Sequence, residues 1–133
     1  MKLSRKSEYA CLALIYLAGK YDSGYVKIED IARDNEIPKK FLEQILLVLK
    51  SSGYLRSRRG SEGGYQLKKD PHQISLAEII RLMDGALAPV ESVSTYFYES
   101  TPIEKSDKLL LLMKDIRNYI AGRLEGTTFS DLV

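Results

Sequence analysis

Cys11 and His72 are the only cysteine and the only histidine among 133 residues. A single cysteine excludes an internal disulfide framework and fits a reducing, cytoplasmic setting. Zinc sites and nucleophile–base machinery draw on these same residue types, and the two lie in different segments. No metal site, no cofactor and no enzyme activity is therefore expected. Long apolar runs are also lacking: none approaches the roughly 20 residues a membrane span needs. Arg5 and Lys6 stand near the start, but no uninterrupted apolar stretch with a small-residue cleavage site follows them. Neither a secretion signal nor a membrane partner is expected. The 44% hydrophobic content still supports a real core, enough for one domain with an appended element.

Charge is present but uneven. Residues 1–70 carry fourteen basic and nine acidic groups, a net of +5; residues 71–133 carry six and nine, a net of −3. The basic excess is sharpest in 37–69, where eight Lys or Arg stand against two acids, a net of +6. A basic front half suits a polyanion, and the acidic back half serves another purpose.

That basic segment has its own periodicity. Pro38 suits the first turn of a helix. Phe41, Leu42, Ile45, Leu46 and Leu49 then recur at helical steps, leaving Lys39, Lys40, Glu43, Gln44 and Lys50 on the other surface. Gly53 is placed as a C-terminal cap. Tyr54–Arg58 alternates like a strand, Tyr65–Lys68 can pair with it, and Arg59–Gly64 has the glycines of a tight loop. Such a helix fits a major groove, where Gln, Glu and Lys read base edges. An arginine-tipped loop reaches a minor groove or the phosphates beside it. The competing readings are a solvated basic face and a module that binds an acidic protein partner.

In chain order, Ser4 or Ser7 caps a first helix whose apolar stripe is Tyr9, Ala10, Leu12, Ala13, Tyr16 and Leu17, ending near Gly19. Cys11 is expected to be buried there as a small hydrophobe. Residues 24–27 form an extended link placed to add a third strand. Ile28 to Asn35 is a short second helix with Ile28, Ile31 and Ala32 inward, and Asn35-Glu36 makes the turn. Two short helices so joined are a helix-turn-helix, and the hairpin makes it a winged helix. Ser75 and Glu78 form a capping box for a fourth helix with Ile79, Ile80, Leu82 and Met83 buried. Ala86–Pro102 is irregular, and its Tyr96-Phe97-Tyr98 is expected to pack on the core or on a partner chain. A last long helix starts at Ile103 or Glu104 and runs to about Leu124. Its stripe is wider than one small domain covers, as in a dimer interface. In the tail, Phe129 and Leu132 tuck inward.

Four segments together resemble the Rrf-two family of bacterial regulators. They are Leu3–Ala10, the Phe41-Leu42-Glu43-Gln44-Ile45-Leu46 helix motif, the Arg59-Gly60-Ser61-Glu62-Gly63-Gly64-Tyr65-Gln66-Leu67 wing and the Thr127–Leu132 tail. The resemblance covers essentially the whole chain. It implies a mainly α fold with a small β-hairpin: a winged helix-turn-helix over 1–85, a connecting loop over 86–103, and a dimerisation helix with its tail over 104–133. It implies a homodimeric repressor of transcription binding double-stranded DNA. The expected DNA-binding residues are Ser4, Lys6, Lys39, Lys40, Phe41, Glu43, Gln44, Arg58, Arg59 and Gly60. The expected dimerisation residues are Leu109, Leu112, Met113, Ile116, Ile120 and Leu124. Iron–sulfur members carry three cysteines in the connecting loop, where this chain has none; Glu8 matches a carboxylate ligand of some members but cannot hold a cluster alone. Ala88-Pro89-Val90-Glu91 is closer to the family's cysteine-metabolism repressors, which respond through a partner enzyme. A regulatory partner protein is thereby implied.

Overall fold

A computed structural model describes all residues, 1–133, as five α-helices and one two-stranded hairpin. The helices are α1 (Arg5–Ala18), α2 (Ile28–Asn35), α3 (Lys39–Ser51), α4 (Leu76–Asp84) and α5 (Asp107–Glu125). The strands β1 (Leu55–Arg58) and β2 (Gly64–Leu67) follow α3. They are antiparallel, with Leu55 opposite Leu67 and Arg58 opposite Gly64. No helix is long and apolar enough to cross a membrane.

The helix boundaries follow local chemistry. Ser4, not Ser7, caps α1: its hydroxyl accepts from the Ser7 backbone N–H, and Ser7 itself is buried in the first turn. Glu36 takes the left-handed conformation that stops α2 (φ 54°), and Gly53 does so just beyond α3 (φ 88°). Ser75 and Glu78 form a complete capping box on α4. The expected third strand shrinks to a single bridge, in which Val26 and Tyr65 exchange two backbone hydrogen bonds of 2.8 Å. The bridge is this short because Gly24, with φ 91°, turns the chain into it and α2 begins two residues after it.

The main core joins Leu14 and Leu17 of α1 to Ile31, Leu42, Ile45, Leu46 and Leu49, with Leu55 and Leu67 from the hairpin. Phe129, fully buried, enters this core from the other end of the chain. It is held there by backbone bonds on both sides: Leu76 N–H donates to Thr127 O, and Phe129 N–H to Ile74 O. Leu132 is not tucked in but exposed, because Thr128 and Asp131 close a capping box that turns the last residues outward.

The second half departs further from expectation. Leu82 lies on the exposed side of α4, opposite Ile79, Ile80 and Met83. Pro102–Lys105 forms a separate tight 3-10 turn, so α5 starts at Asp107, where Ser106 caps it by accepting from Leu109 N–H. Proline at the head of that turn and a β-conformation at Ser106 break the continuity that the apolar spacing suggested. Tyr96, Phe97 and Tyr98 do not pack on the chain's own core; they are 70%, 47% and 59% exposed. The residues that anchor their loop are Leu87, Ala88, Ser92, Val93 and Ser94, all buried.

Candidate nucleic-acid interface

α3 buries Leu42, Ile45, Leu46 and Leu49, which forces Lys40, Glu43 and Gln44 to the outside. Lys40, Glu43 and Gln44 make no hydrogen bond or ion pair within the chain, and so stand free to meet another molecule. Phe41 is counted in the apolar stripe by spacing, yet it sits at the edge of that face and is 38% exposed. Tyr9 of α1 holds it edge-on, ring centroids 5.4 Å apart at 79°. A shallow hollow of about 180 Å³ runs between Lys6, Phe41 and Gln44 over Ile45 and Val48, so the start of α1 and the outer face of α3 share one surface.

The wing joins the same surface through α2. Lys39 at the head of α3 pairs with Glu29 at 2.7 Å, and Glu29, Lys27 and Ile28 line a depression with Gly60, Gly63 and Gly64 of the wing. Hydrogen bonding to Glu29 holds the Lys39 ammonium above its ordinary range, and Lys39 does the converse to Glu29. Lys39 is therefore a partnered cation, unlike Lys40. Arg59 is exposed at the wing tip with no partner in the chain, while Arg58 stacks over the Tyr25 ring, 5.0 Å from its centroid. Gly60, with φ 99°, turns the tip. Gly63 and Gly64 allow close approach: a Cβ at Gly63 would fall 2.1 Å from Arg58 O, and one at Gly64 2.2 Å from Val26 O.

Ser4 has a second bond set. Its hydroxyl and its backbone N–H both donate to the Asp84 carboxylate at the end of α4. Burial pushes Asp84 up, but these hydrogen bonds outweigh it and leave the carboxyl below its ordinary range. The structure thus links Lys6, Phe41 and Gln44 to the α3 face of Lys39, Lys40 and Glu43, and Lys39 through Glu29 to Gly60 of the wing, with Arg59 exposed at the wing tip, Arg58 against Tyr25 and Ser4 at the margin as a cap. Tyr9, Tyr25, Glu29 and Asp84 were missed by sequence reasoning. Each acts across a distance in the chain, and periodicity carries no signal for that.

A family model described as an iron-dependent transcriptional regulator, Rrf2, matches residues 3–133. The chain belongs to this family. It is 33% identical over 132 residues to the HTH-type transcriptional regulator CymR of Bacillus subtilis, covering 99% of this chain and 89% of that protein. It is 34% identical over 136 residues to the regulator IscR of Cronobacter sakazakii, covering all of this chain and 80% of that one. The solved structure of CymR (YrzC), the global cysteine regulator of B. subtilis, superposes with a TM-score of 0.82 at 32% identity, covering 99% and 95% of the two chains. The family and both relatives make this protein a DNA-binding transcriptional regulator, not an enzyme, and the fold is the winged helix-turn-helix of these regulators.

The family description raises iron, and the donor set here does not fit an iron–sulfur cluster. Cluster irons need several thiolates or imidazoles. Cys11 lies within α1, where burial, with help from Asp84, pushes its thiol up to about 11 and disfavours the thiolate. His72 sits in the turn before α4, 3.3 Å from the Ser130 hydroxyl. No three His, Cys, Asp or Glu side chains converge anywhere in the chain.

Proposed function

We propose that the protein is a cytoplasmic, homodimeric repressor that reads double-stranded DNA with α3 and the wing and responds to a signal other than its own iron–sulfur cluster. The observation that carries this is the outer surface of α3: Lys40, Glu43 and Gln44 are exposed and unengaged, with Phe41 beside them and Arg59 on the wing. Glutamine and glutamate on a helix face have base-edge partners in a major groove, and the flanking cations have phosphates. In the proposed division, residues 1–85 bind DNA, 86–103 connect, and 104–133 dimerise.

α5 supports the dimer. It has no fully buried residue, and Leu109, Leu111, Leu112, Ile116 and Tyr119 lie open. Of the six expected interface residues, Leu109, Leu112 and Ile116 fall on this outer face. Met113, Ile120 and Leu124 are half-buried, and Leu124 packs toward Ala77, Ile80 and Leu87. The proposed interface is therefore centred on Leu112 and Ile116 and gains Tyr119. With no donor set for a cluster, a partner protein is the proposed carrier of the signal, in keeping with the likeness to CymR.

Selection of bound sequences from random duplex DNA by the purified protein tests the reading. A defined, near-palindromic motif with half-sites about one or two helical turns apart is expected from two copies of α3. Binding that is salt-insensitive, or that selects no sequence, would favour an acidic protein partner for the basic face instead.

A further inference from the structure

Arg58 and Arg59 are neighbours at the wing, but the fold treats them differently. Arg59 is free. Arg58 lies opposite Gly64 in the hairpin register, and Gly64 presents no side chain. Beyond Gly64 the backbone of Val26 comes so close that a Cβ at Gly64 would overlap its carbonyl. The Arg58 guanidinium lies 5.0 Å from the centre of the Tyr25 ring, on the residue that precedes the Val26 bridge. Tyr25 is itself fixed, because the next residue, Val26, exchanges two backbone hydrogen bonds with Tyr65. No carboxylate pairs with Arg58. Its head group lies over an aromatic face, and its N–H donors make no hydrogen bond within the chain.

We infer that Tyr25 is a positioning residue for DNA binding: it holds the Arg58 guanidinium ready for a phosphate without neutralising it. A carboxylate in that place would compete with phosphate, whereas a ring face does not. The inference rests on the reading that the wing meets DNA. It adds that ordering of Arg58 is completed before binding, so that cost does not fall on the complex.

The test uses the full-length protein and a duplex taken from the selection experiment, with affinity measured across a salt series. Tyr25→Phe keeps the ring and is expected to bind like wild type. Tyr25→Leu is expected to weaken binding by about two- to fivefold, the reach of an exposed cation–π contact, with the salt slope unchanged because the charge remains. Arg58→Gln is expected to lower the salt slope by roughly one unit. In the double variant Tyr25→Leu should add nothing to Arg58→Gln, since both remove one contact. Thermal melts of each variant are run alongside. Losses that multiply in the double variant, or a Tyr25→Leu that binds like wild type, would overturn the role of Tyr25. An Arg58→Gln variant with wild-type affinity and slope would instead overturn the placement of the wing on DNA.

Discussion

In the proposed complex Arg59 supplies attraction to DNA of any sequence, and Glu43 supplies discrimination among sequences. Arg59 stands exposed at the wing tip with no partner in the chain, and on the proposed reading its guanidinium enters a narrow minor groove or clamps a phosphate. Glu43 is exposed one turn into α3, where a carboxylate accepts from cytosine N4 and is otherwise unfavourable beside phosphate. Arg59→Ala should cost about 1–3 kcal/mol on the cognate site and flatten the salt slope by roughly one unit. Glu43→Ala should leave the slope nearly unchanged and widen the set of sequences bound. Salt titrations against cognate and scrambled duplexes check both, and the placement fails if Arg59→Ala loses nothing while Glu43→Ala keeps full selectivity. Cys11 yields a prediction of another kind. Its native thiol, at about 11 against an ordinary 9.0, holds its proton more tightly than the unfolded chain does. Any stability this lends is complete below pH 9 and disappears as pH rises toward 11. Alkylation of the native protein at pH 8 should run at least about tenfold slower than in urea; equal rates would show that the thiol is open.

At the scale of elements, legibility tracked locality. The caps at Ser75 and Gly53, the ends of α2 and the partners in the hairpin depend on neighbours within a few residues, and all were readable from spacing and turn chemistry. Leu82 and the start of α5 were not. Leu82 follows the apolar run of α4, but which side of a helix faces inward is decided by what packs there. The chain from Pro102 to Ser106 carries helix-compatible residues that nonetheless close a separate turn. The proposed reading surface is marked in the sequence by composition and by family motif, while the residues packed against it, Tyr9, Tyr25 and Glu29, belong to other elements and carry no local mark. The hairpin makes the cost of such support measurable. Gly64 has φ 141° and stands against Val26 O. Gly64→Ala must therefore strain its own backbone and push the Val26 bridge apart, a loss of about 1–3 kcal/mol. A lowered urea midpoint with faster proteolysis in residues 59–64 is expected, and an unchanged midpoint would mean the wing rearranges freely.

For the whole molecule, the charge asymmetry has a spatial counterpart. The basic surface gathers at α3 and the wing, and the exposed apolar stripe lies on α5. Leu112→Asp with Ile116→Asp places two carboxylates on the outer side of α5 without touching the core, since both are exposed in the single chain. Sedimentation should then report monomers, and operator binding should fall with dimerisation. A variant that remains dimeric would locate the interface elsewhere. Helical content should be unchanged by circular dichroism, which separates lost assembly from lost folding.

Phe129 has a bearing on how the molecule is made. A ribosome delivers α1, α2, α3 and the hairpin early, yet the core they surround lacks one large side chain until the residue at 129 has emerged. By then α5 is already out. The nascent chain thus completes the core beneath its proposed DNA-reading face only after the helix proposed to recruit a second copy has been synthesised. A chain ending before 129 would carry the basic residues over a core that lacks Phe129, and faster proteolysis of such a fragment than of the full chain is expected.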